Sequence, residues 1–211
     1  MNQLSSYLFK TFAYLSLSYF SYLMILITLQ YIPINFNVAF LNIKEAEIAY
    51  PHYQWAFFSH VYSSIFVLLA GIPQFSKTIR NRLPKIHKSL GALYIFLVLF
   101  IASPSGLVMA FHANGGFFSK ISFSIQAVLW FVFTYKAYQY IREKDWIKHR
   151  KFMLRSYALT LSAISLRLLK WIIVSTFEWP PMDTYKMVSW LGWIVNIVVI
   201  EMYLIFEKNN Q

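Results

Sequence analysis

The 211-residue chain contains no cysteine, which excludes disulfides, thiolate metal sites and cysteine nucleophiles. Charged residues make up only 13% of the sequence, against roughly a quarter in soluble domains, and only eight residues are acidic. A metal or cofactor would therefore need histidine, carboxylate, tyrosine or methionine ligands. The shortage of charge, together with a hydrophobic fraction of 58%, argues against a soluble domain and favours a membrane protein.

Six apolar runs are long enough to cross a hydrocarbon core of about 30 Å, which requires about 20 helical residues. We predict an all-α, polytopic membrane helix bundle that forms a single integral membrane domain over residues 1–211. The first run is longer than the apolar part of a secretory signal, so we interpret it as a retained helix. The predicted transmembrane helices are 11–32, 53–75, 89–112, 120–141, 153–176 and 185–206.

Basic residues cluster in two of the loops between these runs. The 19 lysines and arginines give a net charge of +11, and most of them lie in 77–88 and 142–155. Because there are six spans, both segments lie on the same side of the membrane as the two termini. The positive-inside rule assigns that side to the cytoplasm. The excess charge is thus a topology signal, assisted by anionic lipid, and not an indication of nucleic-acid binding.

Five histidines lie near the ends of predicted spans: His52, His60, His87, His112 and His149. In a continuous third helix, the 25 positions from His87 to His112 turn by 2500°, about 20° from whole turns, so both would face the same neighbours. Neutral imidazole binds haem iron, and helix bundles offer facing positions for two axial ligands. We predict haem b, one or two groups, held by His60 with His112 near the outer face and His87 with His149 near the inner face.

Four neighbouring residues are predicted to complete these cofactor sites. Gly71 and Gln74 share roughly the helix face of His60, so Gly71 would leave space for a flat group while Gln74 would tune one site by hydrogen bonding. Arg167 lies well inside the fifth span, and Lys170 follows one turn further out. Charges inside spans usually face the bundle interior, so these two would hold haem propionates, another carboxylate or an anionic lipid.

Glu201 is the acidic residue deepest in the sixth span. We expect it to pair with Arg155 or Lys136, both predicted near the inner surface. Such a pair would either fix helix packing or take part in proton handling or ligand binding.

A set of short segments is specific when taken together. The segments are His60, GIPQF (71–75), Arg80, PKIHKSLGALY (84–94), SGLVMAFHANGG (105–116), HRKFMLRSYALT (149–160) and LRL (166–168). Through this set the sequence resembles the domain-of-unknown-function 2306 family of predicted multi-spanning bacterial membrane proteins, over about residues 55–205. The resemblance implies a multi-pass protein of the bacterial cytoplasmic (inner) membrane with histidines at the positions of His60, His87, His112 and His149, but not His52. It implies an architecture and a residue set, not a reaction.

One position departs from the family pattern. Family members usually have arginine after the inner histidine, whereas here Lys88 follows His87. Lysine lacks the planar fork of guanidinium, so bidentate use of that cation is not expected.

Three functions remain open at this stage. The leading one is a cytochrome-like protein that carries electrons across or within the membrane, from a quinol or another redox partner. The second is a non-catalytic scaffold or assembly factor, whose histidines and cations contact lipid or the subunits of a larger membrane complex. The third is a small transporter with Arg167 and Glu201 along its path. The histidines could also bind zinc, with Glu45 or Glu47 as a third ligand, or relay protons.

Overall fold

A computed structural model describes residues 3–209, apart from the side chains of residues 3–6, 9 and 10. Within this range the regular structure is helical, and six helical segments are long and apolar enough to cross a membrane, as predicted. They are Thr11–Leu29, Pro51–Phe75, Pro84–Phe111, Gly116–Arg142, Trp146–Phe177 and Pro181–Asn209. The cytoplasmic placement of the termini stays a prediction.

Ten α-helices build these spans and their connections. They are α1 (Gln3–Leu29), α2 (Glu45–Ile48), α3 (Pro51–Gly71), α4 (Lys77–Arg82), α5 (Pro84–Leu97), α6 (Ser103–Phe111), α7 (Gly116–Arg142), α8 (Trp146–Thr160), α9 (Ser162–Phe177) and α10 (Pro181–Asn209). We call the end of the bundle that carries α4 and the α7–α8 turn the basic end, and the other the opposite end.

Several helices start earlier than their apolar runs because local signals begin them inside the polar loops. Pro84 occupies the first turn of α5, where its missing N–H costs nothing. At α8, the Asp145 side chain caps the helix by accepting a hydrogen bond of 2.9 Å from Lys148 N. Hydrophobicity alone does not register these caps, so the predicted starts at 89 and 153 fall several residues late.

The third span is not one continuous α-helix. A π-helical turn, Val98–Ala102, joins α5 to α6 just before Pro104, and His112 closes α6 at its C-cap with φ of −106°. A π turn holds an extra residue, which rotates every later side chain about the axis. The common face expected for His87 and His112 required an unbroken α-helix, and that condition is not met.

The fifth span is interrupted at Leu161, between α8 and α9. Side chains from two other helices bind the polar groups there. Asn196 Nδ2 on α10 donates to Ala158 O at 3.0 Å, and Gln126 Nε2 on α7 donates to Ser162 Oγ at 2.5 Å. These bonds tie the fifth span to its neighbours halfway through the bundle.

A folded loop covers the opposite end. Residues Ala39–Ile43 form a 3₁₀ turn that leads into α2, and Leu41 and Lys44 are both 1% exposed. Leu41 packs with Tyr31, Tyr53 and Phe57 in an apolar cluster above the bundle. The segment is therefore an ordered cap.

Candidate functional site

His149 stands at the basic end with one ring nitrogen engaged by the backbone of the neighbouring helix. Its Nδ1 lies 2.8 Å from Ala137 O on α7. Because a carbonyl oxygen only accepts, Nδ1 carries the proton, and in the neutral ring the lone pair is on Nε2. A histidine held in this way presents Nε2 in a fixed direction, which is the usual arrangement of a metal-bound imidazole.

His87 faces the same gap from α5. Tyr94 lies seven residues after His87, and Ser156 lies seven residues after His149, so each pair shares a helix face to within about 20°. Tyr94 Oη and Ser156 Oγ are 2.8 Å apart, which shows that these two faces meet. The two imidazoles therefore project into one space between α5 and α8, about 10 Å nearer the basic end.

Side chains bridge this space, whereas the two backbones stay apart. No Cα atom of α5 lies within 8 Å of a Cα atom of α8. Tyr94 crosses the separation with its hydroxyl, which also lies 2.8 Å from Thr160 Oγ1. His149 is near enough for its charge to act on His87, and so is Arg80 of α4. The gap below Tyr94 is thus lined by two imidazoles and approached by a guanidinium.

Gln74 contacts Nδ1, one of the two ring nitrogens of His87. The amide is best satisfied with its nitrogen 3.2 Å from His87 Nδ1 and 3.3 Å from His87 O, and its oxygen accepting from Gly91 N at 3.2 Å. A Cβ on Gly91 would stand 3.1 Å from this amide, so glycine admits it. Turning the amide would present its oxygen to an Nδ1–H, so Gln74 can serve either tautomer of His87.

His60 is held in the same manner as His149, but in the opposite half of the bundle. Its Nδ1 donates to Ala102 O, at the end of the π turn, over 2.8 Å. Gly106 packs against the ring, where a Cβ would stand 2.9 Å from His60 Cε1. The π turn and Gly106 together shape this pocket, and π turns are frequent at functional positions.

His112 contacts His52 and not His60. The two Nε2 atoms are 3.2 Å apart, and the rings of Tyr50 and Tyr53 pack around His112. Lys44 binds the His112 carbonyl and forms an ion pair of 3.0 Å with Glu47. This cluster ties the cap loop to the end of α6.

Burial and the charges of nearby residues set the titration of this cluster. Burial, His52 and the lysines at 44 and 120 lower the pKa of His112, against a smaller opposing effect of Glu47. For Glu47, burial acts to raise the pKa, but the Lys44 hydrogen bond and charge lower it overall. The lowered pKa values favour a neutral His112 imidazole and an ionised Glu47 carboxylate at neutral pH.

Gly71 has a packing role in this structure. The phenol ring of Tyr157 lies directly where a Cβ on Gly71 would project, and Tyr157 Oη donates to Leu68 O at 3.1 Å. The flat group beside Gly71 is therefore a side chain of the protein itself.

The expected pairing of Arg155 with Glu201 is present. Arg155 donates two hydrogen bonds to the carboxylate, Nε to Oε1 at 2.5 Å and Nη2 to Oε2 at 2.8 Å. The Arg155 guanidinium also lies over the Phe152 ring, with 5.0 Å from Cζ to the centroid. This fork-to-fork geometry joins α8 to α10 near the basic end.

Arg167 and Lys170 lie in the opposite half, on α9. Arg167 donates to Ala163 O, four residues back along its own helix, at 2.8 Å. Lys170 Nζ lies 5.8 Å from the ring centroid of Tyr185 on α10. No ion pair formed by the described residues involves either of them.

Sequence reasoning missed the partners that orient the histidines. The carbonyls of Ala137 and Ala102 carry no side-chain signal, and His52 lies outside the family pattern. Across residues 3–209, no three histidine, aspartate or glutamate side chains come together as a metal-binding group. The zinc site with a third carboxylate ligand is therefore not assembled in this structure.

The fold and these sites define a polytopic helical membrane protein with fixed imidazoles in both halves of its bundle. The family model described as "Predicted membrane protein (DUF2306)" matches residues 57–204, and the chain belongs to this family, as the resemblance indicated. No curated protein and no solved structure matches the chain.

Proposed function

We propose that the protein is a membrane cytochrome that holds one b-type haem between His87 and His149 and passes electrons to or from a quinol or another redox partner. One observation supports it above the others: the His149 Nδ1–H is fixed to Ala137 O, so Nε2 points its lone pair into the gap that His87 also faces. Two imidazoles on facing helices are a donor set that can hold a b-type haem by both faces of its iron.

The surrounding residues fit such a group. The α5 and α8 backbones are separated, Tyr94 closes the gap on the side of the bundle centre, and the Arg80 guanidinium is placed to neutralise a carboxylate at the basic end. The haem, when bound, supplies one-electron chemistry that none of the side chains can perform. The chain orients the two ligands and compensates charge.

Gln74 sets a condition on this arrangement. In the orientation that best satisfies its hydrogen bonds, the amide donates to His87 Nδ1, which puts the ring proton on Nε2. Use of Nε2 as a ligand requires the proton on Nδ1, so the amide must turn and accept from it. The orientation of the Gln74 amide thus determines which tautomer His87 adopts, and with it whether His87 Nε2 is free to act as a ligand.

The proposal rests on the inner pair alone. His112 Nε2 lies against His52 Nε2, so the outer pair of His60 with His112 is not assembled as two facing ligands in this structure. His60 keeps its fixed Nδ1–H and remains a single oriented imidazole there.

The test is an absorption spectrum of the purified full-length protein, produced with haem supplied and recorded oxidised and then reduced. We expect a Soret band and a sharp α band on reduction, lost in His87→Ala and His149→Ala. His52→Ala, which removes a histidine from the opposite end, should keep both bands. Wild-type protein without a Soret band, or with one that survives His149→Ala, would contradict the proposal.

A second candidate is a scaffold or assembly factor, favoured by the loose packing of α1. Only 6% of its apolar window is buried, against 22–44% in the other five spans. An apolar cleft of about 530 Å³ opens between α1 and α3, lined by residues such as Leu29, Tyr62 and Phe66. Site-specific crosslinks from α1 to one defined membrane subunit, unaffected by His149→Ala, would support this function instead.

A further inference from the structure

Arg167 is a charge in the membrane-spanning region without a counter-ion among the described residues. It is residue 22 of the 32 in its span, and no described carboxylate pairs with it. Its bond to Ala163 O bends the side chain towards the middle of the bundle, away from the nearer interface. A guanidinium within a membrane span normally has a partner, because leaving its charge unpaired there is unfavourable.

The charge of the Arg167 side chain acts on residues of other helices. Its charge acts on His60 of α3, and it lies within electrostatic range of the phenols of Tyr31, after α1, and Tyr185 of α10. These residues come from three different parts of the chain. Yet the Arg167 side chain keeps a large accessible surface, so the space around it is open and not filled by protein.

The proposed haem does not supply the missing negative charge. Arg167 lies 18 residues beyond His149 on the fifth span, which corresponds to about 27 Å along the helix axis. Haem propionates at the basic end do not reach that far. The expectation that Arg167 and Lys170 hold the propionates therefore does not extend to a haem held by His87 and His149.

We propose that Arg167, with Lys170 one turn further out, binds an oxyanion, a carboxylate or phosphate group, in the half of the bundle opposite the basic end. The guanidinium supplies a planar fork that matches two oxygens, and the ammonium of Lys170 adds a second positive charge. His60 Nε2 and the Tyr185 hydroxyl stand nearby as polar groups for the rest of the ligand. This site does not depend on haem binding.

Titrations of the purified full-length protein in an uncharged detergent test the proposal, with thermal unfolding as the readout. The soluble probes are inorganic phosphate and succinate. The lipid probe is phosphatidylglycerol against phosphatidylcholine, in mixed micelles and in nanodiscs. We expect one arm to raise the wild-type Tm by several degrees, and Arg167→Gln to weaken the binding at least about tenfold, which is about 1.4 kcal/mol.

Arg142→Gln, which removes an exposed arginine at the basic end, serves as the matched control and should respond as wild type does. Without anion, Arg167→Gln should be at least as stable as wild type, because an unpaired charge has been removed. If Arg167→Gln does not fold, Arg167→Lys and Lys170→Gln test the proposal instead, and both should bind the anion probes more weakly than wild type does.

A response to the soluble probes assigns a water-soluble ligand, and a response to phosphatidylglycerol alone assigns a lipid headgroup. No response in any arm, or an equal response in wild type and the Arg167 variants, would overturn the proposal.

Discussion

Tyr94 Oη and Ser156 Oγ lie 2.8 Å apart in the centre of the bundle and join two helices whose backbones do not touch. Thr134 Oγ1 lies 2.6 Å from the same Ser156 hydroxyl, and Thr160 Oγ1 lies 2.8 Å from the Tyr94 hydroxyl. This buried polar network sets the separation of α5 and α8. It therefore determines the width of the gap that His87 and His149 face.

Tyr94→Phe should destabilise the protein and loosen this gap. The variant removes two hydrogen bonds, one from Ser156 and one from Thr160, and each of these hydroxyls keeps one other partner. At about 0.5–1.5 kcal/mol for each lost bond, the cost is about 1–3 kcal/mol. The measurement is the free energy of unfolding in mild detergent, with Tyr135→Phe as the control because Tyr135 is 45% exposed. If a haem is bound, its affinity should also fall in Tyr94→Phe. Equal stability of the two variants would show that the network does not hold the helices apart.

Gln74→Glu should make the midpoint potential of the haem more negative. A carboxylate accepts more strongly from the Nδ1–H of His87 than an amide does, which makes the imidazole a better donor and favours ferric iron. Redox titration of the reduced α band measures the change. Gln139→Glu, an added carboxylate on the exposed side of α7, controls for charge alone. A positive shift, or equal shifts in both variants, would contradict the role of Gln74.

The cap loop should loosen as the pH falls below the ordinary pKa of histidine. His112 has a folded-state pKa below its unfolded value of 6.5, so the unfolded state takes up protons first. Its contribution to stability is complete above pH 6.5 and is lost as the pH falls towards the lower folded value. Glu47, whose pKa is also lowered, adds a further loss below its unfolded value of 4.5.

Hydrogen exchange of residues 39–48 at pH 7.5 and pH 5.5 measures this effect. Exchange in wild type should be faster at the lower pH, after correction for the intrinsic rate. In His112→Gln the difference between the two pH values should shrink, because the titrating imidazole is gone. A pH dependence that persists unchanged in the variant would assign the effect to another group.

The sequence predicted six spans because hydrophobicity acts over about 20 residues, and an error of a few residues at a cap does not change their number. It also predicted the Arg155–Glu201 pair, because charged side chains within spans usually pair with an opposite charge. It could not predict the partner of His112. That depended on one π turn before Pro104, which rotates everything after it and which helical periodicity does not contain.

The orientation of the histidines could not be predicted from the sequence either, for a different reason. Ala137 O and Ala102 O hold His149 and His60, and any residue has such a carbonyl. Only the packing of α7 on α8 and of the π turn on α3 selects these atoms. The sequence can therefore identify a histidine as a candidate ligand, but tertiary packing decides which of its ring nitrogens is free to bind.

Glu201→Gln should destabilise the protein more than replacement of both partners does. The single variant leaves the Arg155 guanidinium without its carboxylate, and we expect a loss of about 2 kcal/mol, below the roughly 3–5 kcal/mol of fully buried pairs because both side chains are partly exposed. Arg155→Leu combined with Glu201→Leu removes both charges and should lie closer to wild type, since no charge is left unpaired. The free energies of unfolding of wild type, Arg155→Leu, Glu201→Leu and the double variant complete a cycle, and the coupling energy measures the pair. A double variant as unstable as the sum of its parts would show that Arg155 and Glu201 act independently, and that this pair does not help to join α8 to α10.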